Sequence, residues 1–144
     1  MAIYGRRSQK ADALADIPLF SSLSNKERQE LARHVDELPI KSGAVLTTQG
    51  AAGDAFYLIV EGRADVIKNG IKIAKLGPGD AVGEMALLDG EPRSATVIMT
   101  TDGTILTMPR REFTAVLHDL PGISSKMLIA LSLRLREANN KLVE

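Results

Sequence analysis

No cysteine occurs among the 144 residues. That excludes a disulfide framework and thiolate metal sites, and it fits a reducing compartment. Histidine is scarce as well, with His34 and His118 the only two. Neither sign of charge is in excess, since lysine plus arginine and aspartate plus glutamate both number 18. No overall field therefore draws the chain toward nucleic acid or an anionic membrane. No apolar run approaches the length of a membrane span. Met1 to Lys10 also lacks the apolar stretch of a secretory signal. What remains is a soluble, cytoplasmic chain with the length of one domain, able to bury about 68–70% of its unfolded surface without staples.

The N-terminal part is polar up to about residue 15, where Ala11 to Ala15 can form a helical turn. Ile17-Pro18-Leu19-Phe20 is a compact apolar plug, and its proline limits helix at Ile17. Ser24-Asn25-Lys26-Glu27 has the form of a capping box, with serine first and glutamate three residues later. The spacing of Leu31 and Val35 predicts a helix from Asn25 to about Val35. His34 falls on that helix between Arg33 and Asp36 and reads as a solvated residue rather than a ligand or base.

From Leu38 to Pro109 turn signals recur at short intervals, among them Ser42-Gly43, Glu61-Gly62, Gly77-Pro78-Gly79-Asp80 and Asp102-Gly103. Short strands at such spacing predict a sandwich or barrel rather than a parallel sheet with crossover helices. Asn69-Gly70 is the strongest hairpin signal, joining Ala64–Lys68 to Ile71–Leu76, because a type I′ turn needs positive φ at both central residues. Phe56 to Val60 is a continuous apolar run, so both of its faces should be covered.

After Pro109, Phe113, Val116, Leu117 and Leu120 follow the spacing of an amphipathic helix over Arg110–Leu120. Pro121-Gly122 interrupts it, and a longer helix runs from Ile123 to about Leu142. Leu128, Leu131, Leu135, Ala138 and Leu142 form a short heptad seam there, suited to a homodimer. Met127 and Ala130 offer a second face toward the chain's own body.

The chemistry concentrates in Gly83-Glu84-Met85-Ala86-Leu87-Leu88-Asp89-Gly90-Glu91-Pro92-Arg93-Ser94-Ala95-Thr96-Val97. A glycine and a carboxylate precede four helix formers, Asp89-Gly90 ends the turn, and Pro92 stiffens the approach to Arg93. A helical turn exposes free N–H groups at its start, and these attract anions. Arg93 can clamp the same anion with a planar fork of donors. Glu84 would repel a phosphate but can accept a hydrogen bond from a hydroxyl. One anion clamp beside one hydroxyl-seeking carboxylate points to a sugar phosphate of low charge.

This stretch resembles the phosphate-binding cassette of the cyclic nucleotide-binding domain family. That family includes regulatory subunits of cyclic-AMP-dependent protein kinase and the bacterial catabolite activator proteins. The spacing from Glu84 to Arg93 is similar to the kinase-subunit version, and the likeness extends from about Phe20 to Leu135. The resemblance implies a mainly β fold with flanking helices, a jelly-roll barrel at about 38–109 and C-terminal helices at 110–142. Residues 16–144 would then be a single cyclic nucleotide-binding domain behind a polar tail, 1–15.

The family pattern implies a binding site at Gly83, Glu84, Met85, Ala86, Arg93, Ser94 and Ala95. Arg93 would hold the phosphate, helped by Ser94, and Glu84 the ribose. Val66, Ile73 and Leu76 match positions that line the nucleotide pocket, a role compatible with plain core packing. Arg134 and Asn139 fall near positions that contact the purine, although Ala138-Asn139 replaces the hydroxyl-bearing pair of the catabolite activator. Ser94 rather than threonine after Arg93 tilts the expected ligand to cyclic AMP over cyclic GMP. No metal, cofactor or catalytic residue is implied.

The function expected is a binding module that senses a cyclic nucleotide and passes the signal through its last helix to an unknown effector protein. The alternatives are a nucleotide-independent relative, or the sensor fragment of a longer regulator. An enzyme of the cupin type would share the barrel, but it needs clustered histidines inside it, and His34 and His118 lie outside the strands. No helix-turn-helix, P-loop or nucleophile elbow occurs in the sequence.

Overall fold

The computed structural model describes residues 7–83 and 86–143, without the side chains of residues 7, 8, 86, 142 and 143. Three helical elements lead in: α1 (Arg7–Leu14), a 3₁₀ turn (Pro18–Phe20) and α2 (Asn25–Ala32). Eight strands follow: β1 (Asp36–Ile40), β2 (Val45–Thr47), β3 (Ala55–Glu61), β4 (Ala64–Lys68), β5 (Ile71–Leu76), β6 (Ala81–Val82), β7 (Thr96–Met99) and β8 (Gly103–Pro109). The short helix α3 (Ala86–Asp89) interrupts them between β6 and β7, and α4 (Arg110–Asp119) and α5 (Pro121–Val143) close the chain.

The strands form two four-stranded sheets, ordered β1-β8-β3-β6 and β2-β7-β4-β5, with every pairing antiparallel. The chain passes repeatedly from one sheet to the other, which is the jelly-roll arrangement. The two sheets stay separate rather than closing into one hydrogen-bonded barrel. The hairpin falls where the turn chemistry puts it. Asn69 and Gly70 have φ of 52° and 78°, and Ala64 faces Leu76 while Lys68 faces Ile71.

The apolar run of β3 is covered on both faces, and that divides the core in two. Phe56 and Leu58 stand opposite Met108 and Leu106 on one face and pack under the helices with Leu14, Leu31 and Ile123. Ile59, opposite Ile105, points between the sheets and packs with Ala64, Val97 and Met99. Phe20 plugs the helical side edge-on to Phe56, with ring centroids 6.0 Å apart, and it also meets Phe113 at 6.2 Å. Rings crossed in this way gain from their quadrupoles beyond the area they bury.

The N-terminal helices differ from expectation at two points. A complete helix, α1, forms where only a turn was read, because Ala11 and Leu14 are fully buried beside α2. The capping box of α2 is present, with Glu27 N–H donating to Ser24 Oγ at 3.2 Å and Ser24 N–H to Glu27 Oε1 at 2.8 Å. The helix nonetheless ends at Ala32, three residues before Val35, because the chain must turn there to enter β1. His34 lies in that turn, and its Nδ1 is 2.9 Å from Glu112 Oε2 in the first turn of α4.

Among the described residues, the buried part of helix α5 is its first half. Ile123, Met127 and Ala130 are buried, whereas Leu128 and Leu135 are 65% and 63% exposed. Lys126 Nζ donates to Glu27 Oε1 at 2.5 Å and so ties α5 to α2. That hydrogen bond, followed by the Ser24 N–H, holds the Glu27 carboxyl below its ordinary range. A carboxylate stabilised in this way contributes above the unfolded-state value near 4.3 and loses the contribution as pH falls through its lower folded value. Urea unfolding should therefore find Lys126→Met less stable at pH 7, by up to about 1 kcal/mol for a partly exposed pair. The difference should vanish at acid pH, as Glu27 takes up its proton. A difference independent of pH would assign the effect to the lysine stem instead.

Candidate functional site

Arg93 lies at the exit of the loop between α3 and β7, and its backbone is fixed before its side chain is. Arg93 N–H donates to Ala51 O and Gly50 N–H donates to Arg93 O, both at 2.8 Å. Two residues on, Thr47 Oγ1 donates to Ala95 O at 3.0 Å, and Gln49 N–H to Thr96 Oγ1 at 2.9 Å. The segment 93–96 is thus stitched to β2 and the loop after it, and the arginine can project in only one general direction.

That direction is inward. Arg93 is 9% exposed, and its Nη2 donates to the carbonyl of Ala55. Its Nη1 is buried and has no hydrogen-bond partner among the described residues. Asp89 and Glu91, the carboxylates nearest in sequence, do not pair with it among the described contacts. Asp89 Oδ1 instead accepts Glu91 N–H at 2.9 Å and closes the turn. Gly83 faces the guanidinium with φ of +78°, and a Cβ there would overlap Nη1 and stand 3.0 Å from Cζ. The position demands glycine both for its backbone and for the room it leaves.

Arg93 opens onto a cavity of about 230 Å³. Thr47, Val97 and Val66 sit side by side across β2, β7 and β4, and Leu76 and Val82 complete an apolar wall. Gly83, Ser94 and Ala95 form the cassette side. Thr47 and Arg93 are the buried polar or charged residues among those described, and both face this cavity. An apolar chamber with one guanidinium carrying an unspent donor can hold a singly charged anion attached to an apolar or hydroxylated body.

The structure brings together Gly83, Arg93, Ser94, Ala95, Val66 and Leu76, as read from the sequence. Glu84 and Met85 lie outside the described residues, as does the side chain of Ala86. Ile73 does not join the group. The register of β4 and β5 shifts between Val66 and Ile67, so Ala74 faces Val66, Lys72 faces Ile67, and Ile73 is the extra residue, 57% exposed. A bulge of this kind breaks the two-residue alternation of the strand and turns Ile73 away from the pocket position that the family pattern implied. Arg134 and Asn139 stand on the exposed last turns of α5, outside the cavity lining. Thr47, Ala81, Val82 and Val97 line the cavity without having been singled out. Only Thr47 carried a usable signal, as a polar residue in an otherwise apolar strand.

Residues 37–119 match the profile of the cyclic nucleotide-binding domain. The chain belongs to that family. Among curated relatives, the cAMP-dependent protein kinase regulatory subunit of Aspergillus niger is 36% identical over 122 residues, covering 83% of this chain and 30% of that protein. The chain thus spans about a third of the length of such relatives. Among solved structures, the N-terminal domain of a transcriptional regulator from Streptomyces coelicolor superposes with a TM-score of 0.82 at 28% identity, covering 90% of this chain and 96% of that one. The regulatory domain of Toxoplasma gondii PKA, crystallised with cAMP, superposes with a TM-score of 0.71 at 28% identity, covering 92% and 50%. This cyclic nucleotide-binding domain therefore shares its two-sheet fold with kinase and transcription regulators alike, and no described helix is long and apolar enough to cross a membrane.

A buried guanidinium nitrogen without a partner among the described residues is a cost to the fold, since a buried donor without a partner forfeits its hydration. Replacing Arg93 by methionine keeps the volume and removes that cost. Without nucleotide, Arg93→Met should match or exceed wild-type stability in urea, within about 1 kcal/mol. A loss of several kcal/mol would mean that Arg93 serves the fold through Ala55.

Proposed function

We propose that this domain is a non-catalytic sensor for a cyclic nucleotide, with cyclic AMP the favoured ligand and cyclic GMP its competitor. The observation that carries the reading is the buried Arg93, which lines an apolar cavity and whose Nη1 has no partner among the described residues. A cyclic phosphodiester bears one negative charge, which one guanidinium matches bidentately without leaving a surplus buried charge. Ser94 lines the same cavity and is assigned as a second phosphate donor. Glu84 is assigned to the ribose 2′-hydroxyl, and Gly83 and Ala95 to close backbone approach. Met85 and Ala86 belong to the same cassette by sequence alone.

The output is assigned to α5. Every residue from 132 to 141 is exposed, so folding these turns over the cavity mouth would bring Arg134 and Asn139 to the base. Asn139 offers one acceptor and two donors to an adenine edge, and Arg134 can stack on the ring. Nucleotide would shift α5 only in proportion to its differential affinity for the two helix positions. The seam of Leu128, Leu135 and Leu142, with Leu131 partly packed on the chain's own core, is assigned to a homodimer, with an effector protein downstream. Residues 16–144 are taken as one domain, whether or not a longer protein surrounds it.

Calorimetric titration with cyclic AMP, cyclic GMP and 2′-deoxy cyclic AMP tests the reading. Cyclic AMP should bind one to one and more tightly than cyclic GMP. The deoxy analogue should bind at least about tenfold more weakly, since a carboxylate left without its hydroxyl costs roughly 1–3 kcal/mol. Equal binding of cyclic AMP and its deoxy analogue would remove Glu84 from the ribose. No heat with any of the three would favour a nucleotide-independent domain.

A further inference from the structure

A second and larger recess, of about 540 Å³, lies at the base of the β4–β5 hairpin, between it and the turn at 100–101. Arg63, Asp65, Lys72, Lys75, Asp80 and Thr101 are among its walls. Both carboxylates are already engaged. Asp65 pairs with Lys72 at 3.3 Å, and Asp80 Oδ2 accepts Gly77 N–H at 2.8 Å. The Arg63 guanidinium and the Lys75 ammonium have no hydrogen-bond or ion-pair partner among the described residues. Three cations against two carboxylates leave the recess with a net charge of +1, and Arg63 and Lys75 are its cations outside any described ion pair.

Arg63 is also placed with some care. Its N–H donates to Thr101 Oγ1 at 3.0 Å, and its carbonyl accepts Thr100 N–H at 2.9 Å. Its guanidinium lies over buried Gly77, where an added Cβ would overlap Nη1 and stand 3.1 Å from Cζ. An arginine pinned at its backbone and laid across a glycine presents its fork to the recess instead of swinging in solvent.

We propose that this recess binds a phosphate monoester dianion, with Arg63 gripping the phosphoryl oxygens and Lys75 supplying the second positive charge. A guanidinium fork matches two phosphoryl oxygens at once, and an ammonium adds a point charge from any direction. A monoester carries roughly −1.5 to −2 at neutral pH, and Arg63 and Lys75 offer it two cations that no described carboxylate pairs with. The cavity at Arg93 offers one. The recess is more than twice the volume of that cavity, about 540 against 230 Å³, leaving room for an organic body behind the phosphoryl group. Leu76 lines both, so the two ligands would share a wall. The proposal does not depend on what occupies the cavity at Arg93.

The test titrates the full chain, labelled with ¹⁵N, with phenyl phosphate and, separately, with dimethyl phosphate, a diester monoanion. Phenyl phosphate should give saturable amide shifts at Arg63, Gly77 and Thr101 that weaken with added salt. Its affinity should fall by about tenfold or more in Arg63→Gln, in line with the loss of a charge-assisted hydrogen bond. It should be partly kept in Arg63→Lys and unchanged in Arg93→Ala. Dimethyl phosphate should bind distinctly more weakly at these positions. Any of four results would overturn the proposal: no saturable shift, equal affinity for the two probes, unchanged binding in Arg63→Gln, or shifts confined to Gly83, Ser94 and Ala95 that disappear in Arg93→Ala.

Discussion

A buried guanidinium with a single protein acceptor is the constraint around which this domain is arranged. Arg93 reaches the Ala55 carbonyl with one nitrogen and has no partner for another among the described residues. Burying a charge in that condition is unfavourable, and it persists only where the surroundings fix it. Here they do. The backbone of Arg93 is locked to Gly50 and Ala51, the following residues are tied to Thr47 and Gln49, and Gly83 leaves the space that the guanidinium fills. Three separate stretches of chain thus converge on one side chain, and each is placed by a different sheet pairing or turn.

Those stretches hold still because the core is divided. Strands β3 and β8 bury apolar residues on both faces, so they serve as a wall common to the helical core and to the space between the sheets. The helical side takes the larger side chains, Phe20, Phe56 and Phe113, and supplies much of the burial that stabilises the fold. The space between the sheets is filled with smaller residues and stays open at the cassette end. A close-packed core on the helical side and a cavity of about 230 Å³ on the other are compatible because β3 and β8 separate them.

Turns and helices were legible in the sequence because their causes are local. Asn69-Gly70 requires positive φ and fixes the hairpin register beside it. Ser24 and Glu27 cap α2 within four residues. The cassette could be read because Gly83, Arg93, Ser94 and Ala95 lie on one short segment whose chemistry is self-contained. What could not be read was long-range. Nothing in β1 names β8 as its neighbour, and nothing in Glu27 announces Lys126, 99 residues away. Ile73 was placed in the pocket by its match to a family position, and the one-residue bulge in β5 leaves it outside the cavity lining. Thr47 enters the cavity only because β2 pairs with β7, a pairing that the three-residue strand does not advertise.

The central claim is that the unspent nitrogen of Arg93 is kept for a cyclic phosphodiester. It is tested most directly by side-chain ¹⁵N NMR of the arginine guanidinium groups, assigned with Arg93→Met, as cyclic AMP is added to one equivalent. If Arg93 clamps the phosphate, its Nη resonances should move and sharpen in step with binding, as the fork becomes fully hydrogen-bonded. Binding of cyclic AMP that leaves the Arg93 resonances unmoved, while those of another arginine shift, would contradict it.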